Sequence, residues 1–180
     1  MGTRSYIAKQ IGDDQYLTIY CQLNGYPEET GATLVKCYDT PEKIDALLAL
    51  GDLYYLREKL SPESGRHDFN APQPGVTVAY QRDGGYSDWA ATIKTFEDLC
   101  DGDQDGIAYV YIYDTNGQWL YMLTGNQEAV LRNLKDDLEN DTVQYNEPPD
   151  LSEFDLDLEE DEEEIEDEDP EIEHGLSPHL

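Results

Sequence analysis

The chain has 180 residues and carries 41 Asp and Glu against 11 Lys and Arg, a formal net charge of −30. Hydrophobic residues make up 38%, below the ~45–50% of ordinary soluble domains, and no run approaches the roughly 18–20 apolar residues of a membrane span. Composition therefore argues against a membrane-spanning helix, and against direct nucleic-acid binding, which needs a Lys/Arg footprint for the phosphates.

Residues 3–9 and 16–22 read as two strands joined at Gly12-Asp13-Asp14. The second, from Tyr16 to Cys21, is rich in β-branched and aromatic side chains, as strands are. Asn24-Gly25 marks a turn, and Pro27-Glu28-Glu29 opens a helix with Leu34, Val35 and Tyr38 on its apolar side. Proline suits a first helical position, and acids suit the positive end of the helix dipole. Thr40 is the N-cap expected for the next helix, whose Ile44, Leu47 and Leu48 recur at amphipathic spacing and which Gly51 ends.

A short helix is expected over 53–60, a Pro/Gly-rich loop over 61–75 and a strand over 76–81. Asp83-Gly84-Gly85 is a turn. An extended piece over 90–94 and a short helix over 95–99 follow. Asn116-Gly117 between apolar runs predicts a hairpin of 107–114 with 118–124. A two-residue turn there pairs Tyr113 with Leu120. It places Tyr109, Tyr111, Tyr113, Leu120 and Met122 on one face, and Val110, Ile112, Trp119, Tyr121 and Leu123 on the other. Both faces are apolar, so the hairpin should lie centrally in the sheet, covered on both sides. Asn126 is the expected cap of a last helix over 127–138, with Leu131, Leu134 and Leu138 as its stripe. Strands and helices mix without βαβ repetition. The expected class is α+β, a mostly antiparallel sheet with flanking helices, followed by an acidic C-terminal tail.

Charge divides the chain. Residues 136–180 hold 21 of the 41 acidic residues and no Lys or Arg, so 20 acidic and 11 basic residues remain in 1–135, a net of −9. The expected organisation is a globular domain over 1–139 and an acidic tail over 140–180, disordered or folding on a partner. The start, Met1 to Tyr6, lacks a signal-peptide apolar stretch, and Tyr6 stands where a myristoylation signal needs Ser or Thr. Cys21, Cys37 and Cys100 are odd in number and far apart, without a CxxC pair. Reduced thiols and a cytoplasmic setting fit that pattern.

Four groups could carry chemistry. Asp101, Asp103 and Asp105 with Gly106 copy the start of a calcium loop, but Ile112 occupies the position of the bidentate Glu. An acidic turn is the simpler reading, and no metal or cofactor is expected. Cys21 could serve as a nucleophile only if His67-Asp68 came within hydrogen-bond reach. A core cysteine and a loop histidine are the commoner outcome, and His174 and His179 look solvated. Tyr109, Tyr111 and Tyr113 could stack bases, yet a stacking platform pairs with a positive groove and the local charge is negative, so core packing is preferred. In the tail, Leu151, Phe154, Leu158 and Ile165 fall on one helical face, and Phe154 to Leu158 equally shows strand alternation. The expected partner-binding residues are Phe154, Leu158, Glu159, Glu160, Asp161, Glu162, Glu163, Glu164 and Ile165.

Several segments together resemble a set of small uncharacterised proteins of bacteriophages and prophages. They are Thr3-Arg4-Ser5, Ile19-Tyr20-Cys21, Gly25-Tyr26-Pro27-Glu28, Gly31, Leu34, Tyr38, Glu42-Lys43, Leu48 to Leu53, His67-Asp68-Phe69-Asn70 and Tyr80 to Gly85. The likeness covers roughly residues 2–122 and leaves out the acidic tail. Where that group has His-Trp-Asp, this chain has Gln22-Leu23-Asn24. The resemblance implies a phage or mobile-element origin and no established activity.

These observations lead to the expectation of a non-enzymatic nucleic-acid mimic. Residues 151–173, if helical, would span about 35 Å at ~1.5 Å per residue, close to one turn of duplex DNA. Such a segment could fill the basic groove of a host nucleic-acid-binding or defence enzyme, in the manner of anti-restriction or anti-CRISPR inhibitors. The alternative is a host-takeover or adaptor protein that binds through its folded body, the tail aiding only solubility and association.

Overall fold

The computed structural model describes residues 2–125 and 129–145. Strands β1 (Arg4–Gly12) and β2 (Gln15–Cys21) form an antiparallel hairpin. A π-turn, Pro27–Gly31, leads into helix α1 (Ala32–Cys37), and helix α2 (Pro41–Ala49) follows. The Thr40 side chain accepts the Lys43 N–H, as expected of its cap. Then come β3 (Leu53–Tyr55), β4 (Val78–Ala79), α3 (Tyr80–Gly84), β5 (Thr92–Lys94) and α4 (Phe96–Cys100). A 3-10 turn, Asp101–Asp105, feeds β6 (Ile107–Tyr113), β7 (Trp119–Leu123), β8 (Arg132–Asn133) and α5 (Leu134–Asn140).

The eight strands form one mixed sheet in the order β4-β3-β2-β1-β6-β7-β8, with β5 also on β2. Most neighbours are antiparallel. The exceptions are β1 with β6 at the centre and β2 with β3. The class is α+β. Among the described residues no helix is long and apolar enough to cross a membrane.

Each face of the sheet has its own core. On one, Ile7, Ile19, Tyr109, Tyr111 and Tyr121 pack against Leu34 of α1, Ile44, Leu47 and Leu48 of α2, and Leu134 of α5. On the other, Tyr6, Ala8, Tyr16, Val110, Ile112 and Met122 pack with Leu99 of α4. The β6–β7 hairpin is therefore central and doubly covered, as its apolar alternation requires.

Several expectations need correction. The hairpin register is displaced by one residue: Tyr113 pairs with Trp119, not Leu120, and Tyr111 with Tyr121. The loop has three residues, Thr115 to Gly117, with Gly117 left-handed at φ +79°. Asp114 closes it, its Oδ1 accepting the N–H groups of Asn116 at 3.0 Å and Gln118 at 2.9 Å. Because side chains alternate, the extra residue transfers Trp119, Tyr121 and Leu123 to the face of the tyrosines.

The last helix begins at Leu134, not 127, and Asn133 rather than Asn126 is its cap, accepting the Asp136 N–H at 2.9 Å. The pair β7–β8 takes Arg132 and Asn133 into the sheet first. Residues 53–55 form a strand, not a helix, since Tyr54 and Tyr55 favour extended backbone. The strand expected over 76–81 stops at Ala79, where Tyr80 turns into α3. The helix expected from Pro27 starts as a π-turn and becomes α-helical only at Ala32.

Candidate functional site

Three separate stretches of chain bring aromatic rings together beyond the β3–β4 edge. Strand β3 supplies Tyr54 and Tyr55, the 56–77 loop supplies Phe69, and α3 with the segment after it supplies Tyr80, Tyr86 and Trp89. Ring centroids lie 5.2 Å apart for Tyr54–Phe69, 5.5 Å for Phe69–Tyr80, 6.0 Å for Tyr80–Tyr86 and 4.5 Å for the stacked pair Tyr80–Trp89. Tyr80 is buried, Tyr54, Tyr55, Phe69 and Trp89 are half-buried, and Tyr86 is 52% exposed. The result is a continuous aromatic surface with a buried anchor.

Polar contacts hold it. The Asp52 N–H donates to Trp89 O at 2.7 Å, the Trp89 N–H to Gln81 Oε1 at 3.2 Å, and the Tyr86 N–H to Tyr80 O at 3.3 Å. The Tyr80 hydroxyl donates to Gln22 Oε1. Burial, then the neighbouring phenols and thiol, push the Tyr80 hydroxyl up to about 12, so it stays a donor. Gly84 admits Tyr86 over the end of α3: a Cβ there would meet the Tyr86 ring at 2.6 Å.

Behind this surface, Asp83 organises the loop. Its side chain is fully buried, yet it accepts from the Ala79 N–H at 2.8 Å and from Arg82 Nε at 2.7 Å and Nη2 at 3.0 Å. His67 Nδ1 sits 3.1 Å from Asp83 Oδ2, and His67 Nε2 accepts the Gln73 N–H at 3.0 Å. Burial pushes the Asp83 carboxyl up, but Arg82, the Ala79 N–H and His67 outweigh it and hold the carboxyl below its ordinary value. Arg82 also donates to Leu60 O and Thr77 O. Both nitrogens of His67 thus face structural partners. The residue ties the 66–73 loop to α3, and its Nε2 lone pair is already engaged by backbone.

Cys21 belongs to a different network. It is fully buried, its thiol reaches Leu23 O at 3.6 Å, and burial pushes it up to about 12. Such a thiol is a poor nucleophile. The structure does not bring Cys21 and His67 into one constellation: each has its own partners.

The other candidates have clear places. Tyr109, Tyr111 and Tyr113 are core residues, and Tyr111 donates its hydroxyl to Gly25 O at 2.6 Å. Asp101, Asp103 and Asp105 lie on the 3-10 turn, where Asp105 Oδ2 accepts from the Tyr6 hydroxyl at 3.3 Å. Ile112 is buried in β6. Among the described residues no group of three or more His, Cys, Asp or Glu converges as a metal site would need. Phe154, Leu158, Glu159 to Glu164 and Ile165 lie outside the described residues.

The described surface also has hollows, among them one of about 400 Å³ beside the aromatic rings, lined by Arg66, His67, Asp68, Asp83, Gly84 and Gly85, and two others. Of those two, the first, of about 520 Å³, lies between α1, the β6–β7 loop and α5, rimmed by Asp39, Trp119, Lys135 and Glu139. Another of about 260 Å³ lies beside β2 and β5, with Tyr6, Tyr20, Asp52, Lys94 and Asp105 around it. Larger volume does not make the first the better site. Its rim is charged and solvated, whereas the aromatic surface offers apolar area with fixed geometry.

Reading the sequence alone singled out none of the rings of this surface. The available signal was Tyr54-Tyr55, Phe69, Tyr80, Tyr86 and Trp89 within 36 residues of a chain that has 14 Tyr, 3 Phe and 2 Trp. Their meeting depends on the path of the 56–77 loop. Comparisons with known proteins add no constraint: no family model, curated protein or solved structure matches the chain.

Proposed function

We propose that this is a non-enzymatic, phage-type acidic binding protein of the bacterial cytoplasm that occupies the basic, nucleic-acid-binding face of a host defence or nucleic-acid enzyme. The carrying observation is charge placement: of a net −30, the first 135 residues account for only −9 and the remainder lies in 136–180. A dense anionic segment attached to a folded body presents to a basic groove what a nucleic-acid backbone presents. The test measures competition between the full chain and duplex DNA for a captured basic enzyme across 50–300 mM salt. Affinity should fall steeply with salt, and changing Glu159, Glu160, Asp161, Glu162, Glu163 and Glu164 together to Gln or Asn should slow association. Salt-independent binding by both forms would sink this reading.

The aromatic surface favours a second reading, in which the folded domain docks the partner and the tail adds solubility and on-rate. Aromatic rings anchored by a buried base resemble the hot-spot regions of protein interfaces. A chain ending after residue 146 separates the two: retained affinity places recognition in the domain, and lost affinity places it in the tail.

A further inference from the structure

We infer that the aromatic surface of Tyr54, Phe69, Tyr80, Tyr86 and Trp89 docks arginine side chains presented by a partner protein. The inference rests on the second reading, in which the folded domain makes the partner contact.

One internal contact already shows the chemistry. Arg57 places its guanidinium carbon 4.1 Å from the centroid of Tyr55, and Tyr55 joins the surface through Tyr54 at 5.5 Å. The ring faces at this edge therefore accept a planar cation. Guanidinium is favoured there over ammonium, because it stacks on an aromatic face and is more weakly hydrated.

Charge supports the same occupant. Asp68 precedes Phe69, Asp88 precedes Trp89, and the Asp52 backbone holds Trp89 in place. Of the basic side chains nearby, Arg82 is engaged by Asp83 and two carbonyls and Arg57 by Leu56 O and the Tyr55 ring, while Arg66 is exposed beside Asp68. An incoming arginine thus meets aromatic rings that Asp68 and Asp88 directly precede in the chain, with two of the three nearby arginines, Arg57 and Arg82, already paired. A phosphate-bearing partner would meet the opposite charge balance.

The experiment titrates the full chain with a deca-arginine peptide, a deca-lysine peptide and a deca-proline peptide at 300 mM salt, where exposed long-range charge is largely screened. NMR follows the Trp89 indole and the tyrosine rings. Fluorescence follows Trp89, the other tryptophan, Trp119, being buried. Deca-arginine should move the Trp89 and Tyr86 signals, and should bind about fivefold or more tighter than deca-lysine. Tyr86→Ala, at an exposed position, should lower deca-arginine affinity by about fivefold with an unchanged melt. Trp89→Leu should do the same, and Tyr86→Ala remains informative if that variant fails to fold. Equal response to arginine and lysine overturns the inference, as does a response confined to signals from residues 147–180. Movement of the rings by deca-proline alone also overturns it, while leaving the domain-docking reading intact. Rings that respond to none of the three peptides overturn it as well. A Tyr86→Ala chain that keeps full affinity for a captured enzyme overturns the inference, whereas a chain ending after residue 146 that loses that affinity sinks the domain-docking reading itself.

Discussion

Tyr113 stands directly opposite Trp119 across the β6–β7 ladder, their rings 5.4 Å apart and inclined at 62°. From that position the Trp119 indole donates to Tyr38 O at 2.8 Å, joining the central hairpin to the end of α1. Asp114 and Gly117 set this pairing by closing a three-residue loop. Asp114→Ala strips two N–H groups of their acceptor and should cost about 1 kcal/mol in urea unfolding. Gly117→Val places a β-branched residue at φ +79° and should cost more, about 1–3 kcal/mol.

Asp137 gives the fold a testable pH dependence. The Arg132 fork, with Nε at 2.6 Å and Nη2 at 3.0 Å, holds its carboxyl well below the usual range against burial, aided by Tyr121 and Thr142. A depressed carboxylate contributes stability above its unfolded pKa, near 4. That stability is lost as pH falls through the folded value. Asp137→Asn should therefore melt well below the parent at pH 7. The gap should narrow progressively below about pH 4, as read by thermal melts from pH 7 to 2. A gap independent of pH would contradict the assignment.

Thiol reactivity separates the three cysteines. Cys21 is fully buried, whereas Cys37 and Cys100 are half-buried. Ellman's reagent on native protein at pH 8 should titrate two thiols, and the third only after unfolding. Rapid labelling of Cys21 in folded protein would show an opening the buried position does not provide.

The end of the folded unit is equally testable. The Thr142 hydroxyl donates to Asp137 Oδ1 at 2.7 Å, and the Gln144 N–H donates to the Tyr121 hydroxyl at 2.9 Å. A chain ending after 146 keeps these contacts and all of α5. A chain ending after 139 loses them and should unfold at lower urea, by about 1–3 kcal/mol. Equal midpoints would show that residues 140–146 contribute nothing.

Gly84→Ala tests the aromatic surface apart from the core. The added methyl meets the Tyr86 ring, which is half exposed, so the ring rather than the core has to give way. Near-ultraviolet circular dichroism should weaken while the thermal midpoint moves by only a few degrees. A large fall in the midpoint would mean that Tyr86 is part of the core.

The sequence by itself determined the α+β class, the first hairpin, the cap at Thr40, the burial of Cys21 and the split of charge. All of these follow from composition, side-chain alternation or capping chemistry within a few residues. Tertiary structure decided what depends on distant partners. The β6–β7 register turned on one Asp114 side chain, although Asn116-Gly117 marked the turn plainly. Strands β3, β4 and β8 have two or three residues each, too few for periodicity to register, and they exist because β2 and β7 offer edges to pair with. The start of α5 moved to Asn133 because Arg132 and Asn133 were taken into the sheet. The aromatic surface needed the 56–77 loop to return and its histidine to meet Asp83. Such meetings are set by loop closure and buried charge pairing, which no local pattern encodes.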